Sequence, residues 1–432
     1  MFRLLWLGYL MAGMKLLFAY ENPLPNAEAD AEVFVTTAKY LGSHFPLSQL
    51  HAPIAAGASR AQLEALAGMA LVPAKVPLRP AALRHFCAGL TIVFRTAFRQ
   101  ADAVYTRNLW VAWMSILFGK RVVFDHYRPW PDQIPPLQYW LYWLFCHKRF
   151  LGSVCHSEYT RAKYVALGVP EQKLRCIHNG FEPKRFAAPI PLAEAKRSIG
   201  LAPEAKTVVY TGRVNHKKGL ELVIEAARQL PELTFLFVGS YGDGTVEQSA
   251  SKVPNIRIIP WQTEATLAPY IFAADVLLIP PSLQPLTKFG STVLPLKLFF
   301  YLGSGRPILA GNTPDAAEVL KHGQTAWLCR PDSLDSLVEG LRVLTEDAAL
   351  AARLGEAAQA ESQNFTWSTR AEKIAAAVRE WAAAVPSSGH WGRGQSIIWA
   401  RQSRRWLRHL ILTRSWIMPA GGASAGTLPP SD

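Results

Sequence analysis

The feature that most constrains this chain is a rhythm. From Lys15 to about Ala384, short β-branched or aromatic runs alternate with amphipathic helical stretches. Strands are predicted at Lys15–Tyr20, Ala103–Thr106, Arg121–Asp125, Leu151–His156 and Leu174–Ile177, with helices at Ala29–Leu41, Leu109–Phe118, Leu137–His147 and Glu158–Leu167. The second half repeats the pattern, with strands at Thr207–Thr211, Leu233–Val238, Ile256–Ile259, Val276–Ile279, Pro307–Ala310 and Ala326–Cys329. Leu220, Val223, Ile224, Ala227 and Leu230 form the stripe of a helix lying on a sheet. Such alternation predicts an α/β protein with two doubly wound parallel sheets, and 432 residues are enough for both.

The seam is Pro/Ala-rich, from Phe186 to Pro191 and again from Gly200 to Pro203, with no helical stripe of its own. In open α/β sheets the ligand binds beyond the C-terminal ends of the strands, so the loops after strands hold the candidates. Thr211-Gly-Arg-Val-Asn-His-Lys-Lys-Gly219 places Gly212, Arg213, Lys217 and Lys218 before a helix, an arrangement suited to a diphosphate. A solvated basic turn would look the same in isolation. The Gly-rich loop Val238-Gly239-Ser-Tyr-Gly-Asp-Gly244 and the segment Phe289-Gly290-Ser291-Thr292-Val293 are further polar loops at equivalent edges. In the first half, His126 ends a predicted strand, where a histidine is more often a hydrogen-bonded loop residue than a catalyst.

Lys and Arg exceed Asp and Glu by 46 to 32, a net charge of +14 that calls for an anionic partner. Half the residues are apolar, which excludes a mainly disordered chain. Five scattered cysteines without a C-x-x-C pair argue for reduced, cytosolic thiols and against structural zinc. No Walker A, H-E-x-x-H, G-x-S-x-G, G-x-G-x-x-G or D-x-D motif is present, which counts against the usual NTPase, hydrolase and dehydrogenase chemistries.

Residues 1–13 are either an upstream extension, with Met14 the start, or a membrane-dipping leader. Residues 385–432 carry +5 of the charge. There Arg401, Arg404, Arg405 and Arg408 oppose Trp399, Trp406, Leu410 and Ile417 on a helical projection, which fits either a membrane-surface helix or a disordered tail.

Ordered motifs then give a resemblance. Cys176-Ile-His-Asn179-Gly180-Phe181, Tyr210-Thr-Gly-Arg213 through Lys218-Gly219, Pro295-Leu-Lys297-Leu-Phe-Phe300-Tyr301, Gly305-Arg-Pro-Ile308, Glu318-Val and Phe365-Thr-Trp367 stand in the order of the GT-B retaining glycosyltransferases of family four (group 1). The chain resembles that family from about Lys15 to Ala384. The resemblance implies two Rossmann-like domains facing a cleft: residues 14–190 on the acceptor side, 191–361 binding the nucleotide-sugar, and 362–384 a helix crossing back. It implies that Arg213 and Lys218 hold the donor diphosphate and that His126 approaches the donor sugar. Gly212, Gly239, Gly290, Ser291, Thr292, Val293, Leu294 and Lys297 would complete the donor site, with no metal and no cofactor beyond the nucleotide-sugar substrate.

The chain departs from the family at a pair of glutamates with seven residues between them, where it has Thr292 and Phe300, and at a glycine pair after the first strand, where Asn26–Glu32 stands. The function implied is therefore sugar transfer, with retention, to a cell-surface glycan or its lipid-linked precursor. The alternative is a catalytically inactive GT-B protein that binds a sugar nucleotide or scaffolds a partner enzyme. The aromatic stretch Gln138–Phe145 and upstream Arg79, Arg84, Arg95 and Arg99 suggest peripheral association with an anionic membrane at its cytoplasmic face. Nucleic acid is the weakest candidate partner, since no recognised module supports it.

Overall fold

In the computed structural model, every strand of both sheets is parallel to its neighbours. The structure describes residues 13–384 except 27, 47, 78, 127–129, 134–136, 187, 243 and 289–293. The expectations for residues 1–12 and for the basic tail from 385 onward lie outside the described residues.

The first sheet comprises β1 (Leu16–Ala19), β2 (Gln49–Ala52), β3 (Ala70–Pro73), β4 (Ala103–Thr106), β5 (Arg121–His126), β6 (Phe150–Cys155) and β7 (Leu174–Cys176), in the order β3-β2-β1-β4-β5-β6-β7. The second comprises β8 (Thr207–Thr211), β9 (Thr234–Ser240), β10 (Ile256–Pro260), β11 (Val276–Leu278), β12 (Ile308–Gly311) and β13 (Trp327–Cys329), in the order β10-β9-β8-β11-β12-β13. Each order reverses beside its first strand, between β1 and β4 and between β8 and β11. That reversal opens a crevice at the C-terminal edge.

The central strands β1, β4, β8, β11 and β12 are buried along their whole length, as sheets covered by helices on both faces require. Helix Leu220–Gln229 shows the logic on the covering side. Gly219 opens it in the left-handed conformation (φ 69°), and Leu220, Val223, Ile224, Ala226 and Ala227 are buried. Each fully buried branched side chain contributes about 1.5–3 kcal/mol.

The predicted strands were found, with ends shifted by a residue or so. Two were missed: β2 and β3 stand near the edge and are short, and Gln49, His51 and Pro73 break the apolar pattern. Between the two Pro/Ala-rich segments of the seam lies a short helix, Leu192–Ser198. Its Lys196 is buried because the ammonium pairs with Asp275 at 2.8 Å.

The last described helix, Trp367–Ala384, packs on the first sheet and on helix Ala29–Gly42. Gly152 of β6 makes room for it: a Cβ there would stand 2.3 Å from the Trp381 ring. Trp381 Nε1 donates to the Gln172 carbonyl at 2.9 Å, and Arg370 donates to the carbonyls of Ile177 and His178. Where the chain crosses, Phe181 N–H donates to the Phe365 carbonyl at 3.0 Å, and Trp367 N–H to the Phe181 carbonyl at 3.2 Å. Gly180 permits this, because a Cβ would lie 2.7 Å from the Thr366 carbonyl carbon. Two sequence motifs distant along the chain are thus one backbone junction.

Candidate functional site

The loop after β8 lies at the switch point of the second sheet. Gly212 (φ 121°) and Gly239 (φ 119°) bring the ends of β8 and β9 so close that a Cβ on Gly239 would sit 2.6 Å from the Gly212 carbonyl oxygen. The Gly212 N–H donates to the Val238 carbonyl at 2.8 Å. Gly239 is buried against that carbonyl, and Gly212, with no Cβ, leaves exposed backbone at the edge, as close approach to a ligand requires.

Cations converge on this bare edge. Lys297, from helix Leu296–Ser304, projects its Nζ 3.5 Å above the centre of the Tyr210 ring. The same Nζ would stand 3.1 Å from a Cβ on Gly212. The Tyr210 hydroxyl donates to the Arg213 carbonyl at 2.8 Å, tying ring and loop together. The Arg213 guanidinium lies 5.4 Å over the exposed Tyr241 ring. Burial holds the Lys297 ammonium well below its ordinary pKa, and the Lys218 charge adds to the effect. Lys218 is lowered too, by desolvation first and by Arg213 and Lys217 second. Among the described residues, no carboxylate forms an ion pair with Arg213, Lys218 or Lys297. Mutually repelling cations with no protein anion are the arrangement a bound anion would stabilise.

Other expected donor residues separate. Leu294 is buried in the core of the second sheet, so its side chain offers nothing to a ligand. Gly290, Ser291, Thr292 and Val293 lie outside the described residues. Phe300, half-buried, lies 4.5 Å beneath the guanidinium of Arg185, which also pairs with Glu32 at 3.4 Å.

His126 needs correction. Its ring is fully buried, stacked on Tyr164 at 3.7 Å and packed against Phe124 and Phe145. Its Nε2 lies 2.9 Å from the Ser153 hydroxyl. Strand alternation is the reason: in β5, Val122, Phe124 and His126 share the apolar face, and Asp125 takes the other. Burial keeps the imidazole well below its usual pKa. A core histidine has no surface with which to approach a sugar.

The polar group of that edge is Asp125. It accepts from Arg107 Nη2 at 2.7 Å, lies 2.5 Å from His156 Nε2, and has Arg370 at 3.6 Å. Despite burial, the Arg107 guanidinium above all, with the His156 hydrogen bond and Arg370, holds its carboxyl well below the usual range. Arg107 also pairs with Asp30, whose carboxylate accepts from the Tyr20 hydroxyl at 2.8 Å. Glu21, just past β1, is buried, and its Oε2 has no hydrogen-bond partner. Desolvation, with Asp30 second, raises its pKa to about 7. This cluster occupies the switch point of the first sheet. Sequence reasoning missed it because Tyr20, Asp30, Arg107, Asp125 and Arg370 match no spacing motif. The only available signal was acidic residues following a first strand.

The aromatic helix Gln138–Cys146 is half explained by packing. Trp113 of helix Leu109–Leu117 stacks on Trp143 at 4.4 Å and on Trp140 at 5.5 Å. Trp110 meets Trp140 and, from helix Ala81–Ile92, Phe86. Leu83, Leu90, Trp110, Leu117 and Tyr139 on these helices remain exposed. No helix among the described residues is long and apolar enough to cross a membrane.

Two open parallel sheets, each reversing its strand order beside the first strand, define a GT-B protein, and solved structures agree. HepE of Anabaena, crystallised with UDP-glucose, superposes with a TM-score of 0.66 at 18% identity, over 85% of this chain and 100% of that one. Sucrose-phosphate synthase from Thermosynechococcus elongatus superposes at 0.68 with 16% identity, over 86% and 100%. The chain belongs to the glycosyltransferases of group 1, family 4: residues 193–361 match the family "Glycosyl transferases group 1" and residues 48–185 match "Glycosyltransferase Family 4". Among curated relatives, sulfoquinovosyl transferase SQD2 of Arabidopsis thaliana is 27% identical over 40% of this chain and 33% of its own length. The lipopolysaccharide core mannosyltransferase LpsB of Rhizobium meliloti is 27% identical over 46% of this chain and 59% of its own. The matches thus span from a third to somewhat over half of those relatives.

Proposed function

We propose that this protein transfers a sugar, with retained anomeric configuration and without a catalytic metal, from a nucleotide-sugar to a cell-surface glycan or its lipid-linked precursor. The observation that carries the reading is the convergence of Arg213, Lys218 and Lys297 on the bare glycine edge with no carboxylate paired to them. As the bond from the anomeric carbon to the diphosphate oxygen breaks, charge accumulates on the leaving group. Fixed cations at that point stabilise the transition state more than the ground state, which is how a metal would otherwise act. The acceptor hydroxyl forms the new bond on the same face, and its proton leaves with the diphosphate oxygen. Relatives named for lipopolysaccharide and teichuronic acid synthesis support the acceptor class.

The acceptor would enter from the first sheet, past Glu21 and Asp30. His126 has no direct part in this reading. The exposed Leu83, Leu90, Trp110 and Tyr139 support docking at the cytoplasmic face of a membrane, where a lipid-linked acceptor would be met.

One observation favours the second reading, a sugar-nucleotide binder without turnover. Phe300 stands where the family has a ribose-binding glutamate, and Arg185 covers its ring. Incubation with a panel of UDP-, GDP- and ADP-sugars separates the two. Donor hydrolysis or transfer that Arg213→Ala abolishes supports the enzyme. Saturable binding without turnover on any donor or acceptor supports the binder.

A further inference from the structure

Cys176 ends β7 and His178 follows two residues later, and their side chains come together on the same side of the chain. Glu318, on the turn Ala316–Glu318 that follows β12, reaches the same point from the second sheet. His178 Nε2 lies 3.8 Å from Cys176 Sγ and 3.0 Å from Glu318 Oε2, and the ligand atoms of all three lie within 4.8 Å of one another. All three residues are half-buried.

The geometry points to a divalent zinc site formed by Cys176 Sγ, His178 Nε2 and a Glu318 carboxylate oxygen, clamping the end of the first sheet to the second. With metal bonds of about 2.3 Å to sulfur and 2.0 Å to nitrogen, a tetrahedral ion separates those atoms by roughly 3.5 Å. The observed 3.8 Å sulfur–nitrogen and 3.0 Å nitrogen–oxygen distances are each within a few tenths of an ångström to half an ångström of that spacing, and the sulfur and oxygen lie within 4.8 Å of each other.

The donor set of thiolate, imidazole and carboxylate selects zinc over magnesium or calcium, which prefer oxygen alone. Outer support is also in place. Glu318 accepts the backbone N–H groups of Glu158 at 2.8 Å and Tyr159 at 3.0 Å, at the start of helix Glu158–Ala166. Such bonds orient a ligating carboxylate. The fourth position falls to water. On binding, the Cys176 S–H bond breaks, sulfur gives its electron pair to the ion, and the proton goes to solvent. The site was invisible in the cysteine pattern because its carboxylate lies 140 residues from the histidine. It shares no residue with the cationic donor loop and would govern how firmly the sheets are held together.

The test uses the full chain, stripped with a chelator and titrated with Zn²⁺ by calorimetry and with Co²⁺ by absorption. One tight equivalent of Zn²⁺, a thiolate-to-cobalt charge-transfer band and a raised melting temperature are expected. Cys176→Ser should remove the band, and His178→Ala should weaken binding about tenfold or more. Cys87→Ser, at a half-buried thiol elsewhere, should change nothing. Absence of a stoichiometric tight site in the wild-type chain overturns the proposal whatever the variants do. So does a cobalt band that survives Cys176→Ser.

Discussion

Lys297 Nζ, from helix Leu296–Ser304, stands 3.5 Å over the Tyr210 ring of β8, and among the described residues no carboxylate pairs with it, with Arg213 or with Lys218. Its pKa is depressed by burial and by Lys218. A diphosphate arriving there supplies an opposite charge against both effects, so donor binding should raise the lysine's pKa. The sign follows: affinity is greatest below the depressed free-state pKa and falls as pH rises through it. Calorimetry with UDP in buffers of different ionisation enthalpy, repeated across a pH series, should register proton uptake between the free-state and bound-state pKa of the lysine. Lys297→Met should abolish the uptake and weaken binding by about tenfold to a hundredfold, the loss of a charged hydrogen bond worth about 1.5–3 kcal/mol.

Gly152 and Trp381 give a test of the crossing helix. Gly152→Ala places a methyl 2.3 Å from the indole, deep in the contact between β6 and helix Trp367–Ala384. Urea denaturation should show a loss of about 1–3 kcal/mol, the usual cost of overpacking. Gly13→Ala, with no atom of the described residues within 4 Å of a Cβ, is the control and should lose nothing comparable.

Glu21 should be a stability liability. Its folded pKa of about 7 lies above the ordinary carboxyl value, so the fold resists its ionisation. Its destabilising contribution is absent below the unfolded pKa, grows as pH rises between about 4.5 and 7, and is complete above that. Glu21→Gln should therefore raise unfolding stability more at pH 8 than at pH 5, by on the order of 3 kcal/mol at most. Equal effects at both pH values would remove the argument.

His51 works in the opposite direction. It is buried with neither ring nitrogen bonded, and burial lowers its pKa to about 3. A histidine neutral in the fold and protonated when unfolded contributes stability above about pH 6.5 that is lost as pH falls toward 3. His51→Gln should flatten this part of the pH–stability curve relative to the wild type.

The alternation that the sequence displays determined both sheets because parallel strands covered on two faces must be apolar throughout. β2 and β3 escaped because polar and proline residues break the run near the sheet edge. Of the candidate site, Gly212, Arg213 and Lys218 were legible because a loop between a strand and a helix keeps its chemistry in consecutive residues. His126 misled because its position in the order of residues says nothing about which face of a strand it takes. Asp125, one residue earlier, faces Arg107 and Arg370. Glu21 and the cluster around it are assembled by topology, from segments that only the reversal between β1 and β4 brings together.

The exposed Leu83, Leu90, Trp110 and Tyr139 predict a membrane response. Flotation with anionic liposomes should carry the protein upward at low salt and release much of it at high salt, with Trp110→Ala weakening the association. Insensitivity to lipid charge would argue against an anionic leaflet.

The central claim is tested most directly by calorimetric titration of UDP, GDP and ADP and their sugar conjugates into the wild-type chain and its Arg213→Ala and Lys218→Ala variants. Saturable binding of at least one nucleotide diphosphate is expected, weakened about tenfold or more in each variant. Binding that is unchanged in both variants, or no binding of any diphosphate to the wild-type chain, would contradict it.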